Sequence, residues 1–250
     1  MKFRALDAIG QTHMVDQSLQ ESLSRVRERI ERAAKSAGRR PEEIKLVAVT
    51  KTFPVEAIRE AIELGVTCFG ENRVQEAREK IAQIGRGVEW HLIGTLQRNK
   101  VKHIFDLFDM VQSLDSFPLG QEIENRARAR GAVMPGLVEV NVSGEASKSG
   151  VHPDELPELL RRLSDFRHLA VKGLMTIPSL TSNPEEARSS FRELRRLRDQ
   201  VASEGIRGIE LQELSMGMSA DFEVAIAEGA TMVRIGTAIF GTRSPRAERN

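Results

Sequence analysis

Eight short apolar runs, each followed by a segment of helical period, recur along this chain, and that alternation limits its fold more than any other feature. The runs cover 46–50, 67–69, 89–93, 109–114, 137–142, 169–176, 210–214 and 231–235. Helical patterns follow at 54–64, 74–84, 97–105, 116–130, 153–166, 184–204 and 219–228, with a short helical turn after Gly236. A further helix, 16–37, comes first, with Leu19, Leu23, Val26, Ile30 and Ala33 on one stripe and Gly38 as its stop. Strictly alternating strands and helices require parallel strands with crossover connections, and eight such units suit closure into a single (β/α)8 TIM barrel. An open doubly wound sheet is the other arrangement, but no glycine-rich dinucleotide fingerprint follows the first strand.

The 250 residues are enough for one such barrel. No linker divides the chain, so 15–243 reads as one domain, with 1–14 and 244–250 expected to be flexible ends. Lys and Arg number 37 against 36 Asp and Glu, which leaves no overall field for nucleic acid or an anionic membrane. The single cysteine, Cys68, falls in a strand and reads as a small buried hydrophobe. No apolar run reaches membrane-spanning length and no signal-peptide pattern opens the chain, so a cytoplasmic protein is expected.

In α/β barrels the ligand face is the set of strand carboxyl ends. Those positions hold Lys51, Asn72, His91, Ser113, Asn141, Met175, Ser215 and Arg234, with Gly236 and Thr237 just beyond. The loops after strands seven and eight are Ser215-Met216-Gly217-Met218-Ser219 and Arg234-Ile235-Gly236-Thr237. Small residues let backbone N–H groups approach an anion and hydroxyls donate to it, so Ser215, Gly236 and Thr237 are candidates for a phosphate. Ser219 is read as the N-cap of its own helix. A phosphate cradle across the mouth from a strand-end lysine suggests a phosphorylated aldehyde held as a Schiff base, pyridoxal 5′-phosphate (PLP) being the obvious candidate. A guanidinium near the pyridine nitrogen would leave that nitrogen unprotonated and the ring a poor electron sink.

Six motifs carry a resemblance. They are Val47-Ala48-Val49-Thr50-Lys51-Thr52, Phe69-Gly70-Glu71-Asn72, the stretch His91-Leu92-Ile93-Gly94-Thr95-Leu96-Gln97-Arg98-Asn99-Lys100, and Gly173-Leu174-Met175-Thr176-Ile177-Pro178. The last two are Leu214-Ser215-Met216-Gly217-Met218-Ser219-Ala220-Asp221 and Val233-Arg234-Ile235-Gly236-Thr237-Ala238-Ile239-Phe240-Gly241. Over about 16–241 the chain resembles the YggS/PROSC family of PLP-binding (PLP homeostasis) proteins, relatives of the alanine racemase barrel. The resemblance implies a PLP fold-type III-like barrel without the C-terminal β-domain, Lys51 as the Schiff-base lysine and Arg234 facing the pyridine nitrogen. It implies Ser215, Gly236 and Thr237 on the phosphate, Asn72 beside the ring, and Met175 and Met216 as pocket walls. Thr50 stands where the family often has serine, and Phe53 where a lysine is frequent.

A racemase needs a second acid/base group facing the cofactor. The resembled alanine racemases use a tyrosine there, supplied with a second domain. This sequence contains no tyrosine, and nine residues after Gly241 leave no room for that domain. His91 is the nearest substitute by strand position, although a hydrogen-bonded structural histidine is the plainer reading. The expectation is therefore a PLP carrier in intracellular PLP homeostasis without catalytic turnover, PLP-dependent apoenzymes being the candidate recipients and a monomer the expected state. The alternative is a PLP-dependent amino-acid racemase or lyase. A nucleic-acid module would draw on the Arg98–His103 cluster and on Arg192, Arg195, Arg196 and Arg198. Glu193 and Asp199 lie among the second set, which reads as a solvated helix face. No metal site is expected, since His13, His91, His103, His152 and His168 lack ligand spacing.

Overall fold

In the computed structural model the described residues are 18–145, 148–179, 181 and 183–242. The expected flexible ends, 1–14 and 244–250, and the expected helix start at Asp16 lie outside them. Eight parallel strands close into a barrel in sequence order. They are β1 Lys45–Val49, β2 Cys68–Glu71, β3 Glu89–Leu92, β4 Met110–Leu114, β5 Met134–Glu139, β6 Leu169–Met175, β7 Glu213–Ser215 and β8 Met232–Ile235. Closure is made by β1 on β8, where Val47 pairs with Arg234 and Ala48 with Ile235.

The helices are α1 Leu19–Ser36, α2 Val55–Glu63, α3 Val74–Ile84, α4 Phe117–Arg130, α5 Leu156–Leu163, α6 Arg188–Glu204, α7 Phe222–Ala227 and α8 Thr237–Phe240. Ser18 caps α1 by accepting the Glu21 N–H at 3.2 Å. Of the stripe expected on α1, Leu23, Val26 and Ile30 are buried and Leu19 and Ala33 half-buried, with Ala34 buried beside them. The helix is held to the barrel by the Arg29–Glu223 ion pair and by Arg39 donating to the Ile226 and Ala230 carbonyls. Between β3 and β4 the expected helix is instead a 3₁₀ segment, Arg98–His103.

Alternation along the strands sorts side chains into two cores. Ala48, Phe69, Leu92, Val111, Val138, Leu174, Leu214 and Val233 pack outward under the helices, while Val47, Cys68, Met110, Leu137, Met175 and Met232 form a separate cluster inside the barrel. One glycine is needed where strands crowd: a Cβ on Gly173 would lie 2.0 Å from the Glu213 carbonyl oxygen. β5 starts three residues before its expected position and contains Pro135, with a register shift at Gly136. β5 also ends at Glu139, three residues before its expected end at Val142, and that ending decides which residue it delivers to the rim. Among the described residues no helix is long and apolar enough to cross a membrane.

Candidate functional site

The strand carboxyl ends surround a cavity of about 450 Å³, a volume suited to a small cofactor. Its wall includes Lys51, Asn72, Glu139, Arg234, Gly236 and Thr237. Of the eight residues expected to contact the ligand, five therefore converge here: Lys51, Asn72, Arg234, Gly236 and Thr237. The other three do not line the cavity. Met175 is fully buried in the barrel interior below it, and Met216 packs outward in the main core. Ser215 is also fully buried and bonds to Gln112 and Arg234. Strand-end position alone misjudges both height and face: Met175 and Ser215 point inward but lie too low, and Met216, one residue further on, faces outward.

Other rim expectations shift for the same reason. His91 lies inside the barrel between Glu89 and Gln112. The Ser113 hydroxyl donates to the Gly94 carbonyl at 2.7 Å. Asn141 braces its own loop, donating to the Glu145 carbonyl and accepting from Ser143 and Gly144. In its place β5 presents Glu139, which the sequence reading misses because the expected strand runs over 137–142, whereas β5 ends at Glu139. Val138 packs outward and Glu139 inward, and because the strand ends there Glu139 is the inward residue at the mouth, with Asn141 already in the loop.

Lys51 sits on a tightly built turn. Thr52, next along the chain, takes a left-handed φ of 71°, unusual for a β-branched residue. Its N–H donates to Glu76 Oε1 at 2.5 Å. Lys80 Nζ reaches the Thr50 carbonyl at 2.6 Å, Glu71 Oε1 at 2.7 Å and Glu76 Oε1 at 2.8 Å, and the Thr50 hydroxyl donates to Glu71 Oε1 at 2.7 Å. The backbone on both sides of Lys51 is thus tied to one buried ion cluster. Gly94 lets the next loop close onto Asn72, since a Cβ there would lie 2.5 Å from the Asn72 carbonyl oxygen.

Across the mouth, Ser219 is not the cap of α7; the cap position is Asp221. The Ser219 hydroxyl accepts the Gly236 and Ala238 N–H groups, each at 3.2 Å, and so joins the loops after β7 and β8. Asp221 accepts from the Met218 N–H at 2.6 Å and fixes the same loop. Lys148, a further cation of the wall, pairs with Glu145. Arg234 is 4% exposed, donates to Ser215 Oγ at 2.6 Å and to the Thr176 carbonyl at 2.8 Å, and its pKa is lowered by burial to about 10. Burial pushes the Glu139 carboxyl up to about 7, with Arg234 opposing and Asp115 adding to the shift.

Among the described residues one trio of possible metal ligands, Cys68, Glu89 and His91, has donor atoms within 4.8 Å of one another. Adjacent strands make it, so spacing along the chain could not reveal it. Glu89 already accepts from Lys45 and His91, and burial raises the Cys68 thiol pKa. The arginines of α6 are ion-paired, Arg192 with Glu228, Arg196 with Glu193 and Arg198 with Asp199.

The chain matches the family model of the alanine racemase N-terminal domain over residues 22–244. It is 48% identical to the pyridoxal phosphate homeostasis protein of Aquifex aeolicus over 89% of this chain and 97% of that one. The protein of the same name in Escherichia coli K12 is 42% identical over 89% and 95%. Among solved structures, PipY of Synechococcus elongatus with PLP bound superposes with a TM-score of 0.78 at 33% identity, covering 90% of this chain and all of PipY. An alanine racemase of Clostridium difficile shares the fold at a TM-score of 0.70 and 18% identity, over 91% of this chain and 60% of that one. With nearly its whole length aligned to these relatives, the chain belongs to the YggS/PROSC family of pyridoxal phosphate homeostasis proteins, built on the alanine racemase N-terminal barrel.

Proposed function

We propose that the barrel mouth binds PLP as a Schiff base on Lys51, and that the protein takes part in intracellular PLP homeostasis without substrate turnover. One observation carries this reading: a lysine two residues past β1, a buried arginine on β8 and the Ser219–Gly236–Thr237 loops meet in a single cavity of about 450 Å³. When bound, the cofactor supplies an electrophilic aldehyde carbon and a dianionic phosphate. The residues fit both ends. The hydroxyls of Ser219 and Thr237 offer donors to the phosphate, and the Gly236 and Ala238 N–H groups, both donating to Ser219 Oγ, leave that hydroxyl's own hydrogen to be given onward. Three cations of the wall, Lys51, Lys148 and Arg234, against the carboxyl of Glu139 favour an anionic ligand. Asn72 stands to flank the ring, and Arg234, which can only donate, is matched to an unprotonated ring nitrogen. The PLP-bound relative at 33% identity supports the same assignment. Ser215 leaves the phosphate contacts of this reading, because its hydroxyl serves Arg234. Recipients of the cofactor would be PLP-dependent apoenzymes in the cytoplasm.

The test is spectroscopic and chemical. Protein mixed with PLP is expected to turn yellow, and borohydride reduction followed by peptide mass analysis should place the label on Lys51. A label on another lysine, with Lys51 unmodified, would remove the assignment. A second reading, amino-acid racemase or lyase, gains one observation in its favour: Glu139, a carboxyl of the same cavity held near neutrality. Loss of optical rotation from L- or D-alanine or serine, abolished in Glu139→Gln and Lys51→Ala, would establish it in place of the carrier role.

A further inference from the structure

A line of side chains crosses the barrel interior from the cavity to the opposite face. Arg234 donates to Ser215 Oγ at 2.6 Å, and Ser215 to Gln112 Oε1 at 2.6 Å. Gln112 Nε2 and His91 Nδ1 are 2.7 Å apart, as are His91 Nε2 and Glu89 Oε1. Glu89, the first residue of β3, then meets Lys45 Nζ, the first residue of β1, at 2.9 Å. Ser215, Gln112 and His91 are all fully buried.

The polarity of this line is determined by its two ends. A guanidinium has no acceptor, so Ser215 must receive from Arg234 and give its only hydrogen onward. Gln112 must then turn its carbonyl to Ser215 and its amide N–H₂ to His91. His91 Nδ1 is left as the acceptor, its proton resides on Nε2, and Glu89 receives it. A flipped Gln112 would leave the Ser215 hydrogen facing donors on both sides, a buried mismatch. Each bond polarises the next in the same sense, and the carboxylate end is well matched: the His91 N–H and Lys45 hold the Glu89 pKa down at about 2.

We propose that Ser215, Gln112 and His91 are positioning residues for Arg234, holding its guanidinium in the cavity through a one-way hydrogen-bond chain anchored on Glu89. Arg234 then presents a fixed donor to whatever acceptor the cavity receives. The role toward a ring nitrogen rests on the PLP reading above, whereas the chain itself does not.

Two measurements test it. In the ligand-free protein, ¹⁵N NMR at neutral pH is expected to show His91 as the Nε2–H tautomer with an unprotonated Nδ1. An Nδ1–H or doubly protonated ring would overturn the chain. Gln112→Met, close in volume, is expected to leave the circular dichroism spectrum unchanged, shift the His91 Nδ1 and Arg234 side-chain ¹⁵N signals, and speed PLP release about tenfold, the size of one hydrogen bond to a charged group. Unchanged Arg234 signals and release in a folded Gln112→Met would overturn the positioning role. Should the variant fail to fold, Ser215→Ala provides the same comparison from the adjoining link. Wild-type protein that retains no PLP would instead refute the cofactor reading, with the tautomer and the Arg234 signals still judging the chain.

Discussion

Lys80→Met is expected to destabilise the protein by about 3–5 kcal/mol at neutral pH, the usual cost of leaving a buried charge without its partner. Lys80 and Glu71 are 7% and 0% exposed, and Glu71 Oε2 has no hydrogen-bond partner among the described residues. The whole burden of compensating that carboxyl falls on Oε1, through Lys80 and Thr50. Burial already raises the Glu71 pKa, and Lys80 is the largest influence opposing it. Without Lys80 the carboxyl would rise further and take up a proton as pH falls. The destabilisation should therefore be largest at alkaline pH and shrink toward acid, because a neutral carboxylic acid tolerates burial better than a carboxylate. Urea unfolding of Lys80→Met and of Lys80→Met/Glu71→Gln checks this; the double variant should recover most of the loss. A single variant as stable as wild type would show that the cluster is not compensating a charge. A second consequence is functional. The cluster ties down Thr50 and Thr52 on either side of Lys51, so borohydride-trapped PLP labelling at Lys51 should slow in the single variant even under conditions where it remains folded.

Glu139→Gln should act in the opposite direction, raising the stability of the ligand-free protein at pH 8 while changing little near pH 4.5. The carboxyl is held at about 7 in the folded chain against an ordinary 4.5. Between those values the native state binds more protons than the unfolded chain, so this group's contribution falls as pH rises, and above pH 7 the full penalty applies. A shift of that size corresponds to about 3 kcal/mol. That shift already includes the opposing attraction to Arg234, so a net gain of about 3 kcal/mol is expected by the same conversion. Thermal melts of the two proteins from pH 4.5 to pH 9 should diverge with increasing pH. Parallel curves would mean that Glu139 titrates as an ordinary exposed acid. Stability given up at an inward-facing carboxyl in a cavity is the pattern expected of a group retained for its ligand.

How much of this was legible beforehand differs from element to element. Val55, Ile58 and Ala61 on α2 and Leu23, Val26 and Ile30 on α1 repeat at helical spacing and are buried as that spacing requires. The strand-end rule correctly brought Lys51, Asn72, Arg234, Gly236 and Thr237 to one cavity. It failed where a strand ends earlier than expected, at β5, whose last residue is Glu139 and which leaves Asn141 in the loop, and in the short β7, where Ser215 points inward beneath the mouth.

The amino-acid order alone determined the number of strand–helix units, their parallel sense and the lysine at the end of the first strand. Periodicity and chain connectivity are local properties, and they leave a barrel as the closed solution. Only the tertiary structure decided which side chains share the cavity and which lie beneath it. Glu89 and His91, Gln112, Ser215 and Arg234 lie on four separate strands, β3, β4, β7 and β8. Their hydrogen-bond line exists because closure makes β8 adjoin β1 and turns alternate residues of every strand toward one axis.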